Sequence, residues 1–429
     1  MRALVLILTL LLPLTVRAGE LNNLILLALK NSKEIEKAKA DYRISDLLYR
    51  EAVSSYFPTV NLFYRKTELT DVPTYSFSLP GLPPATFSLF NSSYYQFGVK
   101  LSQPLFTGGQ ITFSVKLREK QKKATYYLFK ETVNRVVLTV KKDYYNLLKA
   151  KASVETARAY LKAAKRHYRD VKAFFDEGIV PRRDLLEAEV KLRDAEEKLT
   201  YAKSIYRVAL EKLKTDIGIP DLNFTPEGEL HYRPVKLNLE ELLKTAYSTR
   251  PLLKYAYMVK KAADEGVKLS ASAFSPKLFM GIDYQKTDQY PGETYSSTAV
   301  SFTLNFPLFE GGKRFFEVER AREERRKAEI SLKDLKDRVR LQVVSAYTEL
   351  LSAAARVKTA QSQVKEAKEL LRDSRERYRE HVGTSTEVVD AIAYLYSAMN
   401  SLNSALADYN TALSELEFAV GKPLLRGER

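Results

Sequence analysis

The sequence contains no cysteine and no tryptophan, and only three histidines and four methionines among 429 residues. The absence of cysteine excludes disulfides, thiolate metal sites, thiol catalysis and a lipid anchor on an amino-terminal cysteine. The histidines are far apart and have no metal-ligand spacing, so we expect His167, His231 and His381 to be surface residues. No phosphate-binding loop or catalytic constellation is present either. These absences predict a protein that uses no metal or cofactor and is not an enzyme.

Long hydrophobic runs are also missing, apart from the first eighteen residues. There Arg2 precedes an apolar stretch and small Ala18 follows it, which is the layout of a secretory signal peptide, residues 1–18. A membrane-spanning helix is the alternative, but the run is short and Pro13 interrupts it. Nowhere else does the chain reach the roughly 20 apolar residues that a spanning helix needs. We therefore expect an exported protein whose integral membrane part, if any, is a β-barrel.

The net charge of +16 permits binding to nucleic acid or to anionic lipid. Export makes nucleic acid a poor candidate, so we expect no nucleic-acid partner. The cations alternate with Glu and Asp along helical stretches, and solvated helix faces are the simpler explanation.

Proline and glycine are absent from two long stretches, residues 110–177 and 313–382. Each stretch predicts one helix roughly 100 Å long at 1.5 Å per residue. Returning helices are expected over residues 184–217 and 387–420. Their apolar residues follow an a/d heptad in which large and small side chains alternate, which predicts close antiparallel coiled-coil packing.

The sequence is duplicated. PLFTGGQ at residues 104–110 returns as PLFEGGK 203 positions later, at residues 307–313. Earlier matches, such as Pro58 with Pro276, are 218 apart, so the first copy carries a 15-residue insertion. We divide the chain into a first repeat at 19–218, a linker at 219–238 and a second repeat at 239–429, each repeat beginning with a helix, over 21–55 and 239–274.

Four segments of about ten residues alternate apolar and polar side chains and are predicted to be strands. They cover residues 59–68, 94–103, 277–286 and 298–306. A soluble sheet would need a second layer over its apolar face, whereas in an outer membrane that face contacts lipid. We favour the membrane interpretation. Since known closed barrels start near eight strands, several copies of the chain must then share one barrel.

Each PLF-x-GG motif is predicted to join a strand to a long helix at the inner edge of the barrel. Proline has no N–H and should end ladder pairing, while a glycine pair lets the backbone turn sharply. The residues of these joints are Pro104, Gly108, Gly109, Pro307, Gly311 and Gly312.

In this order and repeated, these features resemble the TolC family of outer-membrane efflux and secretion channels. The resemblance covers essentially the whole mature chain and includes RPLLKYA at residues 250–256; the first copy departs from it with NSKEIEKA at residues 31–38. It implies a mainly α fold, in which a homotrimer forms a long antiparallel coiled-coil α-barrel. Four transmembrane strands per protomer would complete a 12-stranded barrel in outer-membrane lipid. The expected partners are a periplasmic adapter and an inner-membrane transporter of an efflux pump or type I secretion system.

Two helix–turn–helix tips lie at the end of the long helices away from the strands, over residues 178–183 and 383–386. We expect Gly178 and Gly383 to allow the tight reversals. By resemblance, the tips are sockets for adapter hairpins; the alternative is that these are turn residues only. The residues assigned to docking are Gly178, Ile179, Val180, Val382, Gly383 and Thr384.

Glu387 and Asp390 follow the second tip, three apart and thus on one helix face. By resemblance they form an acidic constriction at the closed periplasmic entrance. The helix dipole at an exposed N-terminus is an equally good reason for both acids. The interval from Gly383 to Ala391 is two residues shorter than that from Gly178 to Ala188, and Ser385 stands where the family pattern leads us to expect an arginine. Outside the channel interpretation, the alternative is an exported, soluble coiled-coil structural protein without a pore.

Overall fold

The computed structural model describes residues 19–424. The predicted signal peptide lies outside the described residues. The helices are α1 (Glu20–Asn31), α2 (Lys33–Ser54), α3 (Gln110–Asp176), α4 (Arg182–Ile217), α5 (Leu239–Thr249), α6 (Pro251–Ala271), α7 (Lys313–Arg379) and α8 (Ser385–Val420). The strands are β1 (Thr59–Glu68), β2 (Thr74–Phe77), β3 (Ala85–Ser88), β4 (Ser93–Phe106), β5 (Lys277–Thr287) and β6 (Tyr295–Asn305).

The duplication is visible in the helix lengths. α3 and α7 each have 67 residues, and α4 and α8 each have 36. The predicted second hairpin was wrong at its turn: α7 ends at Arg379 rather than at residue 382, and α8 begins at Ser385 rather than at residue 387. The bounds of the first hairpin were also wrong, by less at the first helix: α3 ends at Asp176 rather than at residue 177, and α4 begins at Arg182 rather than at residue 184. The end of α7 was placed too late because the prediction put the second turn at its glycine.

The segments expected as single helices, 21–55 and 239–274, each contain two α-helices, and in the second a 3-10 helix, Ser272–Phe274, follows α6. Ser32 breaks the first with ψ 124°, and Arg250 breaks the second with ψ 118°. A glycine at the end of a returning helix approaches each break, Gly218 at Asn31–Ser32 and Gly421 at Arg250. Since both glycines have positive φ as helix C-caps, the same packing recurs although the sequences at the two breaks differ.

The described chain divides into two compact units, of which the first comprises residues 19–39, 128–252 and 336–424. A core cluster in this unit joins α1, α3 and α4 through Leu24, Val140, Leu147, Leu213 and Ile217. These side chains are at most 3 % exposed, so the helices of the first repeat pack closely here.

The segment that connects the repeats, residues 219–238, is an irregular strap across this unit. Side chains of the helices hold its backbone: Glu20 accepts hydrogen bonds from the N–H of Gly228 (2.8 Å), Lys151 donates to the Pro226 carbonyl (2.8 Å), and Tyr409 donates to the Arg233 carbonyl (2.5 Å). Part of the backbone N–H and C=O groups of the strap are therefore paired with side chains, although the strap has no secondary structure.

The second unit comprises residues 40–127 and 253–335 and contains a four-stranded antiparallel sheet in the order β1-β4-β5-β6. The register aligns the alternating apolar side chains of all four strands on one face, as in the row Val60, Leu101, Ile282 and Val300, whereas Phe63 and Phe279 lie on the other face. At the sheet edges this face is open, and Val60 and Val300 are 62 % and 61 % exposed. The other face carries polar rows, with Lys100 Nζ 3.5 Å from Asp283 Oδ1.

β4 corrects the expectation that Pro104 ends the ladder. The strand continues to Phe106, Pro104 lies opposite Phe279, and a bulge between Pro104 and Phe106 shifts the register. The bulge leaves Leu105 without a partner in the register, so the regular ladder is interrupted directly after the proline and close to the end of the strand. In the second copy, β6 ends at Asn305, before the equivalent proline.

The two glycine pairs have the same backbone conformation. Gly108 and Gly109 have φ of 60° and 86°, and Gly311 and Gly312 have 59° and 82°. All four lie between a strand and the first turn of α3 or α7, and this left-handed region favours glycine.

The insertion in the first repeat forms the β2–β3 hairpin, which sequence analysis did not predict. Tyr75 lies opposite Phe87 on one face, whereas Ser76 and Thr86 face each other on the other, with their hydroxyls 3.3 Å apart. The alternation in TYSF and ATFS was a usable but short signal. No helix within residues 19–424 is long and apolar enough to cross a membrane.

Candidate functional site: the two helix–turn–helix tips

The first tip joins α3 to α4 through residues 177–181. Gly178 adopts φ 73°, and the following N–H of Ile179 bonds to the Phe174 carbonyl at 2.8 Å. Pro181 then precedes the first turn of α4 with an extended backbone. The reversal leaves the Ile179 side chain 49 % exposed at the end of the hairpin.

The second tip joins α7 to α8 through residues 380–384. The N–H groups of Val382 and Gly383 both bond to the Arg377 carbonyl, at 2.9 and 3.0 Å. Thr384 is the N-cap of α8, and its hydroxyl accepts a hydrogen bond from the N–H of Glu387 at 3.2 Å. Val382 is 70 % exposed.

The two tips are equivalent at the 203-residue offset that relates the rest of the hairpins. Gly178 corresponds to His381, whose φ is 59°, and not to Gly383. The expectation that Gly383 supplies the reversal was therefore wrong, and the two-residue mismatch came from pairing the wrong residues. Gly383 lies in a crowded place instead, because an added Cβ would lie 3.0 Å from the Cβ of Arg377.

The corrected register pairs predicted site residues with one another. Ile179 and Val382, assigned to docking from different tips, occupy equivalent and exposed positions. Glu387 and Asp390 correspond to Asp184 and Glu187 of the first tip. Both acids of the second tip are exposed, whereas those of the first tip are half-buried. Each hairpin thus carries an apolar residue at its turn and two acids in its returning helix.

A core cluster joins the two hairpins just behind the tips. It contains Tyr160 and Val171 of α3, Ala188 of α4, Leu371 and Tyr378 of α7, and Val388 and Ile392 of α8. In addition, the Thr386 hydroxyl donates a hydrogen bond to Glu187 Oε2 at 3.1 Å, which connects the first turn of α8 to α4. The hairpins are therefore fastened to each other by apolar packing and by hydrogen bonds.

Sequence reasoning missed the most buried polar contact of this site. His167, expected at the surface, is 4 % exposed, and its Nε2 lies 2.9 Å from the Oγ of Ser385, which is 1 % exposed. The contact joins α3 to the first residue of α8. Tyr160, Ala164, His167 and Val171 follow one another at spacings of four, three and four, so the sequence did contain a signal for a second buried face on α3.

Electrostatics make this contact sensitive to protonation. Burial, and after it the charge of the Arg375 guanidinium, lower the pKa of His167 to about 4. Burial also raises the pKa of Tyr378 to about 12, and Asp184 and Asp170 contribute to that rise. The neutral imidazole is thus strongly favoured while the hairpins are packed together.

The family model described as "Outer membrane efflux protein" matches residues 24–218 and 242–422. A similar curated protein is the outer membrane efflux protein BepC of Brucella suis biovar 1 (strain 1330). It is 22 % identical over 334 residues, which cover 76 % of this chain and 68 % of that protein.

Solved structures share the fold. The outer membrane protein VceC of Vibrio cholerae superposes with a TM-score of 0.78 at 17 % identity, covering 94 % of this chain and 97 % of that one. The MtrE outer membrane channel of Neisseria gonorrhoeae, in its open state, gives a TM-score of 0.78 at 20 % identity, covering 95 % and 90 %.

Proposed function

Because the chain belongs to the outer membrane efflux protein family, we propose that it is the outer-membrane exit duct of a tripartite efflux pump or type I secretion system. In this proposal a homotrimer places its sheets in outer-membrane lipid and its hairpins in the periplasm. An adapter and an inner-membrane transporter act at the tips, and the chain itself catalyses no reaction. Outer-membrane membership argues against the alternative of a soluble structural protein.

The four-stranded sheet carries the proposal. Its apolar face is one-sided across all four strands, and among the described residues β1 and β6 each pair on one side only. An unpaired edge is a template for another strand, and closure removes such edges. Three copies contribute twelve strands, enough for a closed barrel with its apolar face on lipid and its polar rows on the lumen.

Trimerisation has a direct test. The protein extracted from outer membranes in detergent should migrate as a heat-sensitive trimer, because the edge strands pair between copies. A monomer that stays in solution without detergent would contradict the barrel and with it the duct.

We further propose that Glu387 and Asp390 form the acidic constriction at the periplasmic entrance. Both are exposed near the N-terminus of α8, so in a trimer they supply six carboxylates from equivalent positions. Replacing them together, Glu387→Gln and Asp390→Asn, should raise single-channel conductance and lower cation selectivity in planar bilayers. The matched control is the equivalent pair, Asp184→Asn and Glu187→Gln, which should leave both properties unchanged. Equal effects of the two double variants would assign the acids to helix capping and general electrostatics.

Adapter docking is proposed at Gly178, Ile179 and Val180 of the first tip and at Val382, Gly383 and Thr384 of the second. The exposed apolar pair Ile179 and Val382 gives the sharpest test, because changing these side chains leaves the turn backbone intact. Val382→Asp and Ile179→Asp should abolish co-purification with the adapter while trimers persist. Val382→Ile is the control and should bind normally. Normal binding by both aspartate variants would show that these residues only complete the turns.

A further inference from the structure

The contact between His167 and Ser385 is a buried imidazole–hydroxyl hydrogen bond that links the two hairpins. His167 lies in α3 of the first hairpin, and Ser385 is the first residue of α8 in the second. Neither residue is more than 4 % exposed, so water cannot solvate the pair while the hairpins are packed. A buried Ser–His pair with no exposed surface is a packing contact and not a nucleophile.

The contact occurs in one repeat only. At the 203-residue offset, His167 corresponds to Leu370, which is 46 % exposed, and Ser385 corresponds to Arg182, which is also exposed. The duplicated architecture thus folds without a histidine at this position. His167 therefore adds a hydrogen-bond contact to the start of α8 that the other repeat does not have at the equivalent positions.

Ser385 lies between two residues that anchor the first turn of α8 by hydrogen bonds. Thr384, immediately before it, caps α8 through the N–H of Glu387, and Thr386, immediately after it, bonds to Glu187. Moving Ser385 therefore shifts the cap, the link to α4 and the first acid of the proposed constriction together.

The surroundings favour a neutral imidazole. The Tyr378 ring packs edge-on against it at 5.3 Å, and the Tyr378 hydroxyl is buried without a hydrogen-bond partner among the described residues. Positive charge is already concentrated here. After burial, the charges of Arg166 and Arg379 lower the pKa of Arg375. The charged groups that face this cluster are Arg166 and Asp170 of α3, Asp184 of α4, and Arg375 and Arg379 of α7.

We propose that His167 is a positioning residue for the periplasmic gate, which holds the start of α8 in the closed arrangement when neutral and releases it when protonated. This inference rests on the proposed function, since it concerns the regulation of the same entrance. A proton on the buried ring has no carboxylate partner in the contact and adds to the cationic cluster. Separation of α3 from α8 lets water solvate the new charge.

The pKa shift of His167 determines in which direction pH moves the equilibrium between packed and opened hairpins. The pKa of His167 is lowered to about 4 from an ordinary value of 6.5, so the packed arrangement binds fewer protons than an opened one. The packed arrangement is fully favoured above pH 6.5 and loses its advantage as the pH falls towards 4. Each pH unit in this interval shifts the equilibrium up to about tenfold towards opening.

Hydrogen exchange at the start of α8 tests the contact without relying on transport. The full-length trimer in detergent is compared at pH 7.5 and pH 5.5, with rates corrected for intrinsic exchange. We expect amides of residues 385–392 to lose protection about tenfold at the lower pH. In His167→Gln, whose side chain reaches Ser385 but does not titrate, protection should not change with pH.

Three further variants make the comparison decisive. His167→Leu copies the residue of the other repeat and provides a second non-titrating protein if the glutamine variant assembles poorly. His231→Gln and His381→Gln remove the other two histidines and should retain the pH response. The same pH response in both His167 variants would overturn the inference, as would an unchanged wild-type protein.

Conductance in planar bilayers then separates this inference from the proposed function. Wild-type protein should open more often at pH 5.5 than at pH 7.5, and His167→Gln should not. Absence of channels at every pH would contradict the proposed duct, while exchange would still decide the role of His167. Channels without a His167-dependent pH response would leave the duct intact and overturn the role of His167.

Discussion

Gly178 and His381 occupy equivalent positions in the two tips, and both have a left-handed backbone, with φ of 73° and 59°. Only the first of them is a glycine. A residue with a Cβ costs roughly 1 kcal/mol in this conformation, so the second tip is locally strained where the first is relaxed. We expect His381→Gly to stabilise the second tip by about 1 kcal/mol. Hydrogen exchange of residues 380–386 in the assembled protein measures this.

The controls separate the backbone from the side chain. His381→Ala keeps the strain but removes the ring, which lies 5.0 Å from that of Phe174, and should not stabilise the tip. Gly178→Ala should destabilise the first tip by about 1 kcal/mol from backbone strain alone, since an added Cβ has open space there. Equal protection in His381→Gly and His381→Ala would contradict the strain argument.

The strand–helix joints offer a matched pair of glycines. Gly108 and Gly311 have nearly the same φ, but a Cβ on Gly108 would overlap the side chain of Ser275, whereas a Cβ on Gly311 meets nothing within 4 Å. Both alanine variants carry the backbone cost, and only Gly108→Ala adds a steric clash. We expect Gly108→Ala to lower the thermal stability of the detergent-solubilised protein clearly more than Gly311→Ala.

Removing the clashing atom provides the check. Ser275→Gly should recover most of the difference when combined with Gly108→Ala and should do nothing for Gly311→Ala. Additive effects of Ser275→Gly and Gly108→Ala would show that the two positions do not interact.

The repeat and the periodicity predicted most of the fold, because both depend on local pattern. Glycine marked the start of α3 at Gln110 and the end of α4 at Ile217, whereas the turn between these helices was placed less accurately. The second tip was misjudged because its left-handed residue is a histidine, and composition alone favours the nearby Gly383. The helix break at Ser32 was missed because it depends on the approach of Gly218, a tertiary contact.

The candidate site was predicted unevenly for a related reason. Exposed turn residues such as Val382 follow from a helix-breaking signal, so their location was accessible from sequence. The burial of His167 depends on which face of α3 meets a second hairpin. The apolar seam of a helix predicts how it packs against the returning helix of the same hairpin. It does not predict which residues pack against the helices of the other hairpin.

A buried ion pair supports the break between α5 and α6. Arg250 is 2 % exposed; its Nη2 lies 2.8 Å from Glu131 Oε1 and 3.3 Å from Gln342 Oε1, and its guanidinium stacks at 4.1 Å on the Phe418 ring. Removing one partner of a buried pair costs about 3–5 kcal/mol, because the other charge is left uncompensated. We expect Arg250→Met to lower the free energy of unfolding by this amount. Arg250→Met combined with Glu131→Gln should recover part of the loss.

The pH dependence of the Arg250→Met variant has a definite sign. Burial raises the pKa of Glu131, and Arg250 opposes that rise. Without Arg250, the folded-state pKa rises further above the unfolded value, so stability is retained at low pH and lost as the pH increases. Thermal melts of the variant and the wild type should therefore differ less at pH 5 than at pH 8. A constant difference would place the cost in lost packing and not in charge.

Asp143 gives a second pH-dependent prediction at the α3–α4 contact. It is 4 % exposed and pairs with Lys212, which also lies 2.9 Å from Asp216. Burial raises the pKa of Asp143 to about 6, and the neighbouring Asp216 adds to the rise. The folded state therefore binds a proton more readily than the unfolded state, and this contribution to stability is lost as the pH rises through about 6.

Asp143→Asn should consequently be more stable than the wild type at pH 8, with an advantage that shrinks towards pH 4. The other repeat has Ala346 at the equivalent position, so the fold does not require this carboxyl. Asp408→Asn, which changes an exposed carboxyl on α8, serves as the control and should show no such pH-dependent gain. Thermal melts between pH 4 and pH 8 measure the difference. A stability loss in Asp143→Asn that grows with pH would mean that the charge attraction to Lys212 outweighs the cost of burying the carboxylate.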